Sequence, residues 1–145
     1  MSQRAILRGS FLCILSLLVV VAVVPAEAQT NGGTITFSPA TVPLSVGEVS
    51  GLITAQVVYA VGAAAPTGTQ TLDFPYLPYG ITTVPSTVTF TVPTGQLTAT
   101  VSFRLAVEPY AWPGRGETPV YATPYPAYGL LNFDVNGLSL APSSL

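Results

Sequence analysis

From residue 97 to residue 105 the chain alternates without a break. Leu97, Ala99, Val101, Phe103 and Leu105 are apolar, and Thr98, Thr100, Ser102 and Arg104 between them are polar. Only an extended strand sends every second side chain to one face, so this run commits to a β-strand with one side on a core and the other in water. Residues 53–61 repeat the pattern, with Ile53, Ala55, Val57, Tyr59 and Val61 set against Thr54, Gln56, Val58 and Ala60. Val88, Phe90 and Val92 make a third such face. Leu131, Phe133 and Val135 make a fourth, with Asn132 and Asp134 turned outward. Beyond residue 28, no segment carries the 3.6-residue period of an amphipathic helix.

Proline and glycine punctuate these runs. The pattern predicts nine strands, over 34–38, 42–46, 51–61, 69–74, 81–84, 86–92, 97–107, 117–123 and 129–136. Short strands at this spacing specify an all-β chain, an antiparallel β-sandwich of about seven to nine strands. Pro93-Thr94-Gly95-Gln96 sits between two alternating runs and reads as a hairpin turn, and residues 47–51 read the same way. Pro39-Ala40-Thr41-Val42 with Val46-Gly47 echoes Pro85-Ser86-Thr87-Val88 with Thr94-Gly95. Two similar hairpins within one domain account for the echo.

The first 28 residues differ in kind. Arg4 and Arg8 precede an apolar run from residue 11 to residue 24, and Pro25 then leads to Ala26-Glu27-Ala28. Charged, apolar, small is the order of a helical secretory signal peptide, with cleavage between Ala28 and Gln29. The alternative, a retained membrane anchor, is poorly served by a run shorter than the ~20 residues a spanning helix needs. The expected layout is a signal peptide at 1–28, a linker at 29–33, one domain at 34–136 and a tail at 137–145. The expected location is secreted, at the cell surface or in the periplasm, with no membrane contact after cleavage.

Removing the leader strips the chain of reactive chemistry. Residues 29–145 contain no Cys, His, Lys or Met, and two arginines (Arg104, Arg115) face five carboxylates (Glu48, Asp73, Glu108, Glu117, Asp134), a formal net charge of −3. Ser–His, Ser–Lys and Cys nucleophiles are excluded, as are the usual zinc and copper ligand sets. The carboxylates stand as singletons, so no calcium site and no other cofactor is expected. Nucleic acid needs a basic patch, which two arginines cannot make. Glu108 and Glu117 are the best carboxylate pair for glycoside hydrolysis, against the plainer alternative of solvated loop charges. The expectation is therefore no enzyme. Sparse charge with many apolar residues also favours association.

Three segments carry a further resemblance. Phe37-Ser38-Pro39 with Val46-Gly47, Leu77-Pro78-Tyr79-Gly80-Ile81-Thr82, and Thr89-Phe90-Thr91-Val92-Pro93-Thr94-Gly95 resemble bacterial and archaeal extracellular immunoglobulin-like modules. The resemblance spans most of 34–136 and rests on strand and turn chemistry. It implies an immunoglobulin-like sandwich serving as a spacer, adhesion module or appendage. The chain lacks the cysteine pair and core tryptophan of antibody domains.

Aromatic loops are the remaining candidates for contact. Residues 74–79, 109–113 and 124–128 each mix proline with tyrosine, tryptophan or phenylalanine. Rigid amphipathic rings suit binding surfaces, which singles out Tyr76, Tyr110 and Trp112. The alternative is that the rings cap the ends of the sandwich and fill its core. In an immunoglobulin-type order the first two loops share one end and the third lies at the other. The expected function is a structural or adhesion module acting through protein–protein contacts or self-association. The alternative is a carbohydrate-binding module using those loop aromatics. Strand addition at an open edge is a possible mechanism, with residues 29–33 or the C-terminal tail as donor.

Overall fold

The computed structural model describes residues 32–62 and 65–137. The expected signal peptide, its expected Ala28–Gln29 cleavage site and most of the expected C-terminal tail lie outside them. The described residues form nine β-strands and no helix: β1 (Gly33–Ser38), β2 (Thr41–Ser45), β3 (Ile53–Val58), β4 (Thr69–Asp73), β5 (Ile81–Val84), β6 (Val88–Thr91), β7 (Thr98–Val107), β8 (Gly114–Thr123) and β9 (Ala127–Asn136). Each overlaps one predicted strand. The period-2 faces also hold: Ala99, Phe103 and Leu105 of β7 are buried, while Thr98, Thr100, Ser102 and Arg104 are exposed. Val61 departs from the pattern, because β3 ends at Val58 and leaves it in an exposed turn.

Hydrogen bonding runs along one path, β5-β7-β3-β1-β9-β8-β4-β6, with β2 also on β9. The sheet is mixed and barrel-like, which corrects the expectation of a purely antiparallel one. β1 pairs antiparallel with β3 and meets β9 in parallel at only two residue pairs. After Ser38-Pro39 the chain leaves β3, and β2 pairs in parallel with β9 from Thr41 to Ser45. Proline has no amide hydrogen for the ladder, so Pro39 is a natural break between the two pairings. Parallel pairing needs a long return path, and here the rest of the domain supplies it.

Neither expected hairpin forms. β6 pairs with β4 and β7 with β3, while β2 pairs with β9 and β3 with β1 and β7. The turns themselves are present. Gln96 N donates to Pro93 O at 2.9 Å and Glu48 N to Ser45 O at 3.1 Å. Gly95 and Gly47 take φ of 77° and 80°. A left-handed glycine at the third turn position marks a type II turn. That geometry splays the flanking strands instead of folding them together, which explains why the chain crosses over at both places. The sequence echo is two copies of one crossover turn. Among the described strands, only β8 and β9 are consecutive partners, closed by Pro124-Tyr125-Pro126.

The core gathers the inward faces of all nine strands. Phe103, Leu44, Ile53, Leu105 and Leu131 are its largest fully buried side chains. Phe37 and Phe74 meet Phe103 edge-on, at centroid distances of 6.4 and 5.2 Å. Two polar side chains, Gln70 and Thr118, are wholly enclosed with them. Gln70 donates through Nε2 to Thr67 O (3.1 Å), and its Oε1 accepts from Tyr125 N (3.1 Å). It ties the strand entering β4 to the β8–β9 turn. Backbones approach closely at Gly129, where a Cβ would collide with the Ile35 carbonyl. No helix of the described residues is long and apolar enough to cross a membrane.

Candidate functional site

Residues 74–80 connect β4 to β5, and residues 108–113 connect β7 to β8. Ile81 pairs with Val107, so the start of β5 and the end of β7 lie side by side. This register brings the two loops to one end of the molecule. Glu108 N donates to Gly80 O at 2.8 Å, which ties the loops together through their backbones.

Each loop divides its side chains between core and solvent. Phe74, Leu77 and Ala111 turn inward. Tyr76, Tyr79, Tyr110 and Trp112 turn outward, with exposures of 70%, 79%, 56% and 84%. These four rings therefore do not fill the core. The reason lies in the turns. Ile81 N donates to Pro78 O (3.0 Å), with Gly80 at φ 85° in the third position of another type II turn. Tyr79 occupies the second position, at the turn's apex. Ala111 N donates to Glu108 O (3.0 Å), closing a turn with Pro109 second and Tyr110 third. Burying Ala111 leaves its neighbours Tyr110 and Trp112 on the outside.

Tyr79 and Tyr110 stack across the two loops at 5.2 Å, their planes tilted by 33°. Partial desolvation, then the adjacent Tyr79 phenol and the Glu108 carboxylate, hold the Tyr110 phenol above its ordinary value of 10.0. Tyr79 is the functional candidate that sequence reasoning missed. Its Pro-Tyr-Gly setting carried the signal, because a residue between the proline and the glycine of a type II turn has nowhere to be buried.

The third aromatic segment lies elsewhere. β8 runs ten residues from Gly114 to Thr123, and at ~3.3 Å per residue it sets the Pro124-Tyr125-Pro126 turn about 30 Å from residues 108–113. Tyr125 packs against the core there, and its carbonyl accepts from Tyr59 Oη at 3.4 Å. Burial raises the Tyr59 phenol above its usual range. Tyr128 instead faces outward and meets Tyr121 at 5.4 Å. So Tyr76, Tyr110 and Trp112 sit on adjoining loops, with Tyr79 against Tyr110, and the third loop does not reach them.

The rest of this end is chemically quiet. Glu108 lies in the loop, while Glu117 stands on the exposed face of β8 opposite Asn132. Among the described residues, no three of His, Cys, Asp and Glu come together to hold a metal. Arg115 reaches Asp134 at 3.5 Å, and Arg104 donates to Ser50 O at 3.0 Å. An exposed aromatic surface of this kind can stack and exclude water, and Glu108 is the one carboxylate in its two loops. No protein-family model and no curated protein matches the chain.

Proposed function

We propose that this chain is an exported, non-enzymatic immunoglobulin-like module that works at the cell surface through protein–protein contacts, with the aromatic end as its contact surface. The four exposed rings on two bonded loops carry this proposal. Tyrosine and tryptophan offer large contact area at low conformational cost and dominate the energetic centres of interfaces. Tyr79 and Tyr110 sit inside hydrogen-bonded turns, and Pro75, Pro78 and Pro109 stiffen the same loops, so less order is lost on binding.

The strand pairing supports the sandwich. In the proposed sandwich β1, β3, β7 and β5 would be one layer and β2, β9, β8, β4 and β6 the other, with the β1–β9 contact, only two residue pairs long, as the seam. A strand that leaves the first layer and finishes beside the last strand of the second agrees with the immunoglobulin resemblance. The leader at 1–28 supports export.

The edges favour rings over strand addition as the means of contact. β2 carries Pro43, and β5 and β6 are four residues each. Short or proline-bearing edges are how natural sheets discourage pairing. Gly33, the last residue of the suggested N-terminal donor, is already paired in β1.

The test is binding of the fluorescently labelled protein, purified from the cells that make it, to those same cells. Binding that disappears when the cell surface is shaved with protease supports a protein partner. Binding that survives protease but is lost after glycosidase treatment moves the rings to the carbohydrate reading. No binding to untreated cells overturns the proposal.

A further inference from the structure

β4 and β5 are not paired with each other, and the chain between and beyond them leaves a solvent-open groove of about 370 Å3. Its volume falls within the range of small-ligand sites, ~300–1,000 Å3. The floor is apolar: Phe74, Leu77 and Ile81. The walls are hydroxyls and one carboxylate, from Thr71, Asp73, Thr83, Ser86 and Thr87. Thr123 Oγ1 donates to Asp73 Oδ2 at 2.8 Å and fixes the orientation of the carboxylate, while Oδ1 keeps its acceptor capacity. Thr83 Oγ1 donates to Ser86 O at 3.2 Å, which braces the segment that forms the far wall.

From this lining we infer a binding site for a neutral oligosaccharide, seated in the groove between β4 and β5 and separate from the exposed rings. The chemistry decides among ligand classes. No arginine lines the groove and Asp73 does, so anions are repelled. A purely apolar ligand would desolvate six polar side chains, Thr82 among them, without bonding them, which is costly. A pyranose meets both surfaces. Its C–H face covers Phe74 and Leu77, and its hydroxyls donate to Asp73 and exchange hydrogen bonds with the threonine and serine hydroxyls. Because the groove is open, the sugar enters as one unit of a longer chain and not as an engulfed monosaccharide. The site stands independently of the protein contact proposed for the rings.

The experiment is an NMR titration of the purified protein with uncharged hexasaccharides of β-1,4-glucose, β-1,4-N-acetylglucosamine, β-1,4-mannose and β-1,4-galactose at millimolar concentration. At least one should shift the amides of Thr71, Thr83 and Ser86. Asp73→Ala should weaken that binding about tenfold or more, as expected for loss of a hydrogen bond to a charged group. The nearly isosteric Thr87→Val, which spares the Thr83–Ser86 brace, should weaken it with the amide spectrum otherwise unchanged, which separates loss of contact from loss of fold. The site is overturned if none of the four sugars shifts these amides, if both groove variants bind normally, or if the shifts map to residues 108–113 instead.

Discussion

Replacing Gln70 by leucine tests how much a single enclosed amide holds together. The Gln70 side chain is fully buried and bonded at both ends, to Thr67 O and from Tyr125 N, each at 3.1 Å. Leucine nearly fills the same space, so Gln70→Leu isolates the hydrogen bonds from the cavity. It removes the donor shared by the Thr67 and Gly68 carbonyls, at 3.1 and 3.5 Å, and the acceptor of the Tyr125 amide. Each buried orphan costs ~1–3 kcal/mol. Thr67 is exposed and Tyr125 half-buried, so water recovers part of this and the low end applies, about 1–1.5 kcal/mol each. Exchanging a buried amide for hydrocarbon returns under ~1 kcal/mol. The net is a loss of about 2 kcal/mol, or ~8 °C in Tm for a domain of this size. Urea unfolding followed by far-ultraviolet circular dichroism measures it, because the sole tryptophan, Trp112, is already in solvent and reports little. The midpoint should fall with an unchanged m-value. Gln70→Glu should cost more at neutral pH, where a carboxylate faces the Thr67 carbonyl, and recover as acid restores a donor. A Gln70→Leu variant within about 0.5 kcal/mol of wild type would refute the clamp.

Other positions give equally direct outcomes. Gly129→Ala drives a Cβ into the Ile35 carbonyl, a backbone atom that cannot turn aside; thermal melting should show a loss near the upper end of overpacking, ~3 kcal/mol. Gly95→Ala forces an L-residue into φ 77° and should cost ~1–2 kcal/mol in the same assay, while a neutral effect would remove the type II turn as the cause of the crossover. The Tyr110 phenol is raised in the folded state, so folding favours its protonated form. That stability is present below the unfolded value near 10 and is lost as pH rises through the folded one. Tyr110→Phe should therefore remove one phenol titrating above the ordinary range at 295 nm and make the protein less sensitive to alkali.

What was legible in the sequence was local. Period-2 alternation is a property of adjacent residues, so the faces of β3, β6, β7 and β9 could be read from Ile53, Phe90, Phe103 and Phe133 without knowing their partners. Partnership is not local, and only β8 and β9 pair with a neighbour in sequence. The parallel seam of β2 on β9 joins residues about ninety apart, and no pattern within either strand announces it. The turns misled for a readable reason. Gly47 and Gly95 each stand alone in the third position, which suits a crossover turn, whereas a two-residue hairpin calls for a primed turn. Parity also put Gln70 on the inner face with Leu72, a usable sign that its amide is buried. The exposure of Tyr79 followed from its turn. The groove did not show, because it exists only where β4 and β5 fail to pair.

The proposed function makes the rings of the 74–80 and 108–113 loops the working surface of a non-enzymatic surface module. Its most direct test compares the purified wild-type protein with a variant carrying Tyr76→Ala, Tyr79→Ala, Tyr110→Ala and Trp112→Ala in equilibrium binding to the producing cells. All four side chains are exposed, so circular dichroism should show the fold intact, and removing several interface aromatics should raise Kd at least about a hundredfold. A folded variant that binds as tightly as wild type would contradict the account.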